Sequence, residues 1–376
     1  MTPRPVLFLV DTLAKGGLAH VVLTVAERLR ARGHPTGIGV LDGNVDTRPS
    51  DAVWLACNPV SRAAQGSRML RSRAARFGLA TIAEFTERAG TPDLIIAAGE
   101  LAIRCADAWQ HPRIVFSSHS SQLGAPKHAG AIGDLRQAFK RLRRGHRLRR
   151  LLNGRHVHVV SSGLADELVE DFGVRPASLS VIGNPFDIEA IRHQSCEATP
   201  ESAAQTGPFV VGVGELNARK DFGTLVRAFA SSGLDGDLVL VGQGEEEEAL
   251  RQLGSTLGLA QRLRIVPFHA NHYALVRKAQ ALALTSRSEG FGNVLIEALI
   301  LGVPAVSTDC PHGPRDILAP LDPRAVVPPG NVELFAERLR DIVQRPYPIP
   351  DSAVGRYDID RVVDQYLALT SRLSTA

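Results

Sequence analysis

The sequence predicts an α/β protein built from two doubly wound domains that face each other across a cleft. Three observations carry this expectation. Short apolar runs alternate with helix-spaced segments through the first half. The same alternation restarts near residue 208. The length of 376 residues suits two domains, taking roughly 150 residues for each.

Element by element, Val6–Val10 is a first buried strand, and "GGLAHVVLTVAERLRARGH" follows with helical spacing and a glycine stop at Gly33. Gly37–Leu41, Val53–Ala56, Asp93–Ala98, Arg113–Ser117 and Val157–Ser161 are further strand candidates, most of them separated by helical stretches. "VIGNPFD" (181–187) and the polar stretch to Gly207 read as the joint. Beyond it, "PFVVGVGEL", "GDLVLVGQG", "LRIVPF", "ALALTS" and "PAVSTDC" are strands with helix patterns between them. The expected division is residues 1–187, residues 188–350, and a final stretch 351–376 whose helix pattern "DIDRVVDQYLAL" crosses back to the first domain.

Composition narrows the class. Hydrophobic residues make up 44% and charged residues 22%, the balance of a globular protein. No apolar run approaches the ~20 residues that span a bilayer. The N-terminal apolar run meets Asp11 without a cleavage region, so it reads as a strand rather than a signal peptide. The four cysteines are scattered, which argues against a zinc or disulfide framework and for a reducing, cytoplasmic location. Charge is uneven: 25 basic against 16 acidic residues up to Asp187, and 18 against 23 beyond it. An anionic partner is therefore expected for the first half.

The stretch "SRSEGFGNVLIEAL" (286–299) raises the functional question. Glu289 sits in a glycine-broken loop beyond a strand, and Glu297 sits inside an otherwise apolar helix pattern. A buried carboxylate needs hydrogen-bond donors, and the hydroxyls of a sugar or ribose would supply them, as would backbone amides if Glu297 is structural. In Gly290, Phe291, Gly292 and Asn293 the backbone can approach a ligand, with Asn293 expected to cap a helix start that attracts anions. Arg219 and Lys220, in "GELNARKDF", follow the first strand of the second domain and suit a diphosphate. Gly16 and Gly17 follow the first strand of the first domain as a second phosphate-approach turn. The nearest approach to a dinucleotide fingerprint, "GQGEEEE" (242–248), puts Glu247 where the third glycine belongs, and its carboxylates would repel a pyrophosphate. It reads as a structural helix start.

These residues carry a resemblance. Glu289-x7-Glu297 in "SEGFGNVLIEALILGVPAVSTDC" resembles the E-x7-E motif of the family 4 retaining glycosyltransferases. "VGVGELNARKDFGTLVRAFA", "GGLAHVVLTVAERLRARGH", "VIGNPFD" and "VGQGEEEEAL" are similar to other parts of that family, and "DCPHGPRDIL" to members that build bacterial cell-surface oligosaccharides from UDP-sugars. The resemblance implies two Rossmann-like domains in the GT-B arrangement. It implies a nucleotide-sugar donor, UDP-linked, and a glycan or polyprenyl-diphosphate-linked acceptor. Under it, Glu289 contacts donor-sugar hydroxyls, Glu297 the ribose, Arg219 and Lys220 the diphosphate, and His119 in "FSSHSS" the acceptor side. Retention would follow from same-face attack in which the leaving diphosphate helps deprotonate the acceptor. No metal or other cofactor is expected, the cations standing in its place. Glu215 departs from the family, which often has arginine there. A sugar-nucleotide epimerase and a non-catalytic carbohydrate-binding relative are the competing readings.

"RQAFKRLRRGHRLRRLL" (136–152) is a basic amphipathic segment. Few aromatics interleave and no recognition motif accompanies it, so nucleic acid is not the expected partner. An anionic membrane surface is, with Phe139, Leu142, Leu148 and Leu151 as the apolar stripe and Arg143, Arg144, Arg147 and Arg150 as the basic contacts. The expected place is the inner face of the cytoplasmic membrane.

Overall fold

A computed structural model describes residues 2–14, 16–58, 67–121, 131–269 and 271–373, with backbone alone for 67–69 and 131–137. The side chains of Arg136 and Gln137, in the basic segment above, lie outside the described residues. The chain forms two compact units. Among the described residues, one runs to Phe186 and resumes at Tyr357, and the other is Asp187–Arg356.

The first unit holds seven strands: β1 (Val6–Val10), β2 (Thr36–Val40), β3 (Trp54–Cys57), β4 (Leu94–Ala98), β5 (Ile114–Ser118), β6 (His156–Val159) and β7 (Ser178–Val181). All pair in parallel, in the order β3-β2-β1-β4-β5-β6-β7. β1, β4 and β5 are buried along their whole length, as continuous apolar runs covered on both faces should be. Several strands sit one residue from their expected bounds, and β7 is an addition, lying at the start of the expected joint.

The second unit holds β8 (Phe209–Val213), β9 (Asp237–Val241), β10 (Leu263–Val266), β11 (Ala281–Leu284), β12 (Ala305–Thr308) and β13 (Val326–Val327), parallel, in the order β10-β9-β8-β11-β12-β13. The polar stretch after Asp187 is not a loose linker. It contains helices Ile188–Gln194 and Pro200–Ala204, capped by the side chains of Asp187 and Thr199. Gly242 explains why "GQG" needs its first glycine: a Cβ there would lie 1.8 Å from the Gly214 carbonyl oxygen. The glycine lets two backbones pass after β9, and Glu247 opens helix Glu247–Thr256.

The return to the first unit is a small parallel bridge. Phe186 N–H donates to Tyr357 O at 2.9 Å, and Ile359 N–H to Phe186 O at 3.0 Å. Helix Ile359–Leu373 then packs Val362, Val363, Tyr366, Leu367 and Leu373 into the core formed by β1, β4 and helix Gly17–Ala31. Arg28 pairs with Asp360, and Arg32 with Asp364 at 2.7 Å.

In each sheet the strand order reverses once: between β1 and β4, and between β8 and β11. A crevice opens beyond the carboxyl ends of the strands at such a point. In the first sheet Asp11 plugs it. Its Oδ2 and Oδ1 accept the backbone N–H groups of Leu101 (2.9 Å) and Ala102 (2.8 Å). Burial pushes the Asp11 carboxyl up to about 7 despite those two amides. A group with a raised folded-state pKa stabilises fully below its ordinary value, and that contribution fades as pH rises through the folded value. Stability against urea, measured from pH 4 to 8, is therefore expected to fall with rising pH in the native chain more steeply than in Asp11→Asn.

Candidate active site

The reversal between β8 and β11 brings two loops together, 214–221 after β8 and 285–292 after β11. They are zipped by backbone and side chain. Arg287 N–H donates to Arg219 O at 2.8 Å, and the Thr285 hydroxyl to Asp221 O at 2.9 Å. The Arg287 guanidinium meets Asp221 at 3.0 Å. A third loop, after β12, closes the group: Glu289 N–H donates to Pro311 O, and Gly313 (φ +112) passes so near Phe291 that a Cβ would lie 1.9 Å from the Phe291 carbonyl oxygen. Asp221 (φ 49) and His312 (φ 72) are the non-glycine residues with positive φ among the described residues, and both stand in these loops. Such strain persists where the surroundings over-determine the backbone, and functional sites collect it.

The expected residues Glu289, Lys220 and Arg219 are brought into contact, but with each other. Lys220 Nζ donates to Glu289 Oε1 at 2.6 Å, the Ser286 hydroxyl donates to the same oxygen at 2.6 Å, and Arg219 approaches Oε2 at 3.4 Å. The Glu289 and Lys220 side chains are 9% and 11% exposed, that of Arg219 43%. Burial alone would raise the Glu289 carboxyl. The Lys220 ammonium and Arg219 guanidinium outweigh it and hold the carboxyl below the usual range. Glu215 is exposed and accepts from Asn217 Nδ2 at 2.8 Å.

Asn293 is not the cap of its helix. Helix Asn293–Ile300 starts at Asn293, and the cap is Gly292 in the left-handed region, φ 95. Gly290, Phe291 and Gly292 form the turn leading into it, with Phe291 buried. Glu297 lies one turn on, and its donor is a residue the sequence did not mark. His272 Nε2 lies 2.9 Å from Glu297 Oε2. His272 is buried against the rings of Phe268 and Tyr273, at centroid distances of 4.9 and 4.4 Å, and its Nδ1 has no hydrogen-bond partner among the described residues. The burial of Glu297 was the available signal, since a buried carboxylate requires a donor on some neighbouring element.

The remaining candidates lie in the first unit. Gly16 caps helix Gly17–Ala31 without a side-chain hydrogen bond, and nothing stands within 4 Å of a Cβ built at Gly16 or Gly17. His119 follows β5, its Nε2 2.8 Å from the Ser117 hydroxyl. The basic segment is helix Ala131–Leu152, unbroken at Gly145, where a Cβ would lie 3.2 Å from the ring of Phe172. Its expected apolar stripe divides. Leu148 and Leu151 are buried in the unit, whereas Phe139 and Leu142 are 61% and 68% exposed. Two of the four expected basic contacts are already engaged, Arg147 with Glu100 and Arg150 with Asp107. Arg143 lies over the Phe139 ring, and Arg144 is half-buried. Among the described residues no helix is long and apolar enough to cross a membrane, and no group of three or more His, Cys, Asp or Glu side chains is placed to hold a metal.

Comparison with known proteins bears on family and fold. Residues 15–190 match Glycosyltransferase Family 4, and residues 197–355 match Glycosyl transferases group 1. The chain is 32% identical over 157 residues to the Campylobacter jejuni N-acetylgalactosamine-N,N'-diacetylbacillosaminyl-diphospho-undecaprenol 4-alpha-N-acetylgalactosaminyltransferase, covering 42% of each chain. It is 27% identical over 188 residues to the Salmonella typhimurium lipopolysaccharide 1,6-galactosyltransferase, covering 49% of this chain and 51% of that one. The chain thus spans about half the length of these curated relatives. Among solved structures it is similar in fold to Anabaena Alr3699/HepE in complex with UDP, at 20% identity and a TM-score of 0.68 over 98% of this chain and 100% of that one. It is likewise similar to the apo form of the lipopolysaccharide outer core galactosyltransferase WaaB, at 19% identity and a TM-score of 0.70 over 98% and 99%. The fold class is GT-B, with two parallel-sheet α/β domains of seven and six strands.

Proposed function

Because the chain belongs to the glycosyltransferases, joining a family 4 to a group 1 domain, we propose that it moves a hexose, with retention, from a UDP-sugar to a glycan or polyprenyl-diphosphate-linked acceptor in cell-envelope polysaccharide synthesis. The observation that carries this reading is the Lys220–Glu289–Arg219 cluster at the β8/β11 reversal. Lys220 Nζ is held there by Glu289, and the Arg219 guanidinium by the Ser288 carbonyl oxygen at 3.1 Å. The two cations can stabilise the charge that develops on a departing diphosphate, in place of a metal. The amides leading into helix Asn293–Ile300 add to that field. Glu297, held by His272 one turn further along, accepts ribose hydroxyls in this reading. Glu289 reaches the sugar rim once a diphosphate replaces it as counter-ion. The curated relatives named for a diphospho-undecaprenol-linked glycan and for lipopolysaccharide support the acceptor class.

Incubation with UDP-sugars, with and without a lipid-diphosphate-linked glycan, tests the reading. UDP release that depends on acceptor, with an α-linked product from an α-linked donor by NMR, is the expected result. Sugar isomerisation without acceptor would make the chain an epimerase, and no turnover with retained sugar binding would make it a binding protein. Glu297→Gln is expected to weaken UDP binding about 10-fold, the scale of one ~1.4 kcal/mol contact, measured by calorimetry.

The membrane contact belongs to the same proposal and is redrawn by the structure. Phe139 and Leu142, with Lys140 and Arg143 beside them, form the lipid-facing patch of helix Ala131–Leu152; Arg147 and Arg150 serve the unit itself. Co-sedimentation with anionic liposomes is expected to fall with salt and to be lost in a Phe139→Ser, Leu142→Ser, Arg143→Ser variant that still binds UDP. Native protein that ignores anionic liposomes at low salt would leave a soluble acceptor as the better reading.

A further inference from the structure

His119 is wired into the interior of its unit by two residues that no motif marks. Ser117 and His158 are register partners on the neighbouring parallel strands β5 and β6. The Ser117 hydroxyl lies 2.7 Å from His158 Nδ1 and 2.8 Å from His119 Nε2. On its far side, His158 Nε2 lies 3.1 Å from the carbonyl oxygen of Ile182. Ser117 and His158 are both fully buried. The Tyr366 ring, from the helix that returns to this unit, stands edge-on to His158 at 5.2 Å.

The proton positions in this chain follow from its ends. A carbonyl oxygen only accepts, so His158 Nε2 carries a proton. Burial pushes His158 down to about 4 and His119, also beside His158, down to about 3, so both rings are neutral at pH 7. A neutral imidazole with a proton on Nε2 has a bare Nδ1, which must receive its hydrogen bond from Ser117. The serine has one proton and has now given it. Its oxygen can engage His119 only by accepting, so His119 Nε2 is the donor. His119 Nδ1 is left as a bare lone pair, with no hydrogen bond to it among the described residues.

We propose that Ser117 and His158 are positioning residues that lock His119 in its Nε2–H tautomer, so that His119 meets a bound sugar hydroxyl as a hydrogen-bond acceptor through Nδ1. The inference rests on the reading of His119 as a substrate contact. The tautomer of a histidine is set by the partner of its other nitrogen, here through one intervening hydroxyl. With the wrong tautomer the ring would turn an N–H towards that hydroxyl, which would have to reorient its own proton to answer. Hydroxyl orientation in the first unit is thus fixed from inside the fold, by the carbonyl of Ile182 at the other end of the chain.

Ring-nitrogen NMR of the uniformly 15N-labelled full chain at pH 7 reads the tautomers directly, with His119 assigned by the signal lost in His119→Asn. The expected result is a proton on Nε2 alone for both His119 and His158. Ser117→Ala is expected to give His119 a mixture of tautomers and to lower kcat about 10-fold while UDP affinity stays unchanged. Ser117→Thr, which restores the hydroxyl, should recover both. A His119 protonated on Nδ1 in the native protein overturns the proposal without any variant having to fold. So does Ser117→Ala with native ring signals and native kcat. If the tautomers are as stated but His119→Ala turns over normally, the contact with substrate falls and the donor-site reading of the second unit is untouched.

Discussion

Glutamine in place of Glu289 is expected to bind UDP more tightly and turn over more slowly than the native chain. The Glu289 carboxylate lies between Lys220 and Arg219, where the proposed diphosphate would sit. A diphosphate bound there would have to displace it. The amide is isosteric but neutral, so it leaves both cations available, and UDP affinity should rise by roughly 3- to 30-fold, ~1–2 kcal/mol. Turnover should drop at least ~10-fold, since a contact to the sugar worth ~1.4 kcal/mol is lost. The same change leaves the buried Lys220 ammonium without its counter-ion, so the ligand-free protein should lose about 3 kcal/mol. UDP should then raise the melting temperature of the variant more than that of the native chain. The pH profile has a definite sign. The Glu289 carboxyl is depressed in the folded state, so its stabilisation is present above the ordinary carboxylate range and is lost as pH falls through the depressed value. The glutamine variant should lack that acid limb. Weaker UDP binding in Glu289→Gln would mean the carboxylate is not a stand-in for the diphosphate.

Lys220→Ala should act in the opposite direction and more strongly. It removes the cation that is nearly as buried as Glu289 itself and leaves the carboxylate facing the incoming phosphates. UDP affinity should fall about 100-fold, ~3 kcal/mol. Arg219→Ala should cost no more than about 10-fold, because its half-exposed guanidinium acts through solvent. Uridine, which carries no phosphate, should lose little in either variant. Equal losses of UDP and uridine, by titration calorimetry, would remove the pair from the diphosphate.

Most strands were legible because each is a short apolar run with punctuation on both sides; β7, with two serines and partly exposed, was not. β13 is two residues long, too short to leave a pattern. The site was legible as a set of residue types and not as a set of contacts. Arg219, Lys220 and Glu289 could each be marked from position after a strand, yet their mutual pairing depends on β8 lying beside β11, and strand order leaves no local trace. His272 was missed for the same reason: it is 25 residues from Glu297 and nothing in "FHANHYA" tells which carboxylate it meets. Asn293 was misplaced by one residue because a capping side chain and a left-handed glycine both suit a helix start, and here the glycine takes the role. In the basic helix, charge density concealed an inward face: Arg147 and Arg150 anchor the helix to its own unit.

The helix Ile359–Leu373 has a consequence for biogenesis. Its apolar face fills the core beside β1 and helix Gly17–Ala31, more than 300 residues upstream along the chain. A nascent chain leaves the ribosome in order, so the earlier segment must wait for one more than 300 residues later before its core closes. Among the described residues, the second unit runs from Asp187 to Arg356 and has no such wait. The unit translated second is the one free to finish folding first. During that interval the exposed side of helix Gly17–Ala31 is an apolar surface that chaperones would have to shield. Halting translation before Tyr357 should therefore strand the first unit in a protease-sensitive state while the second is already resistant.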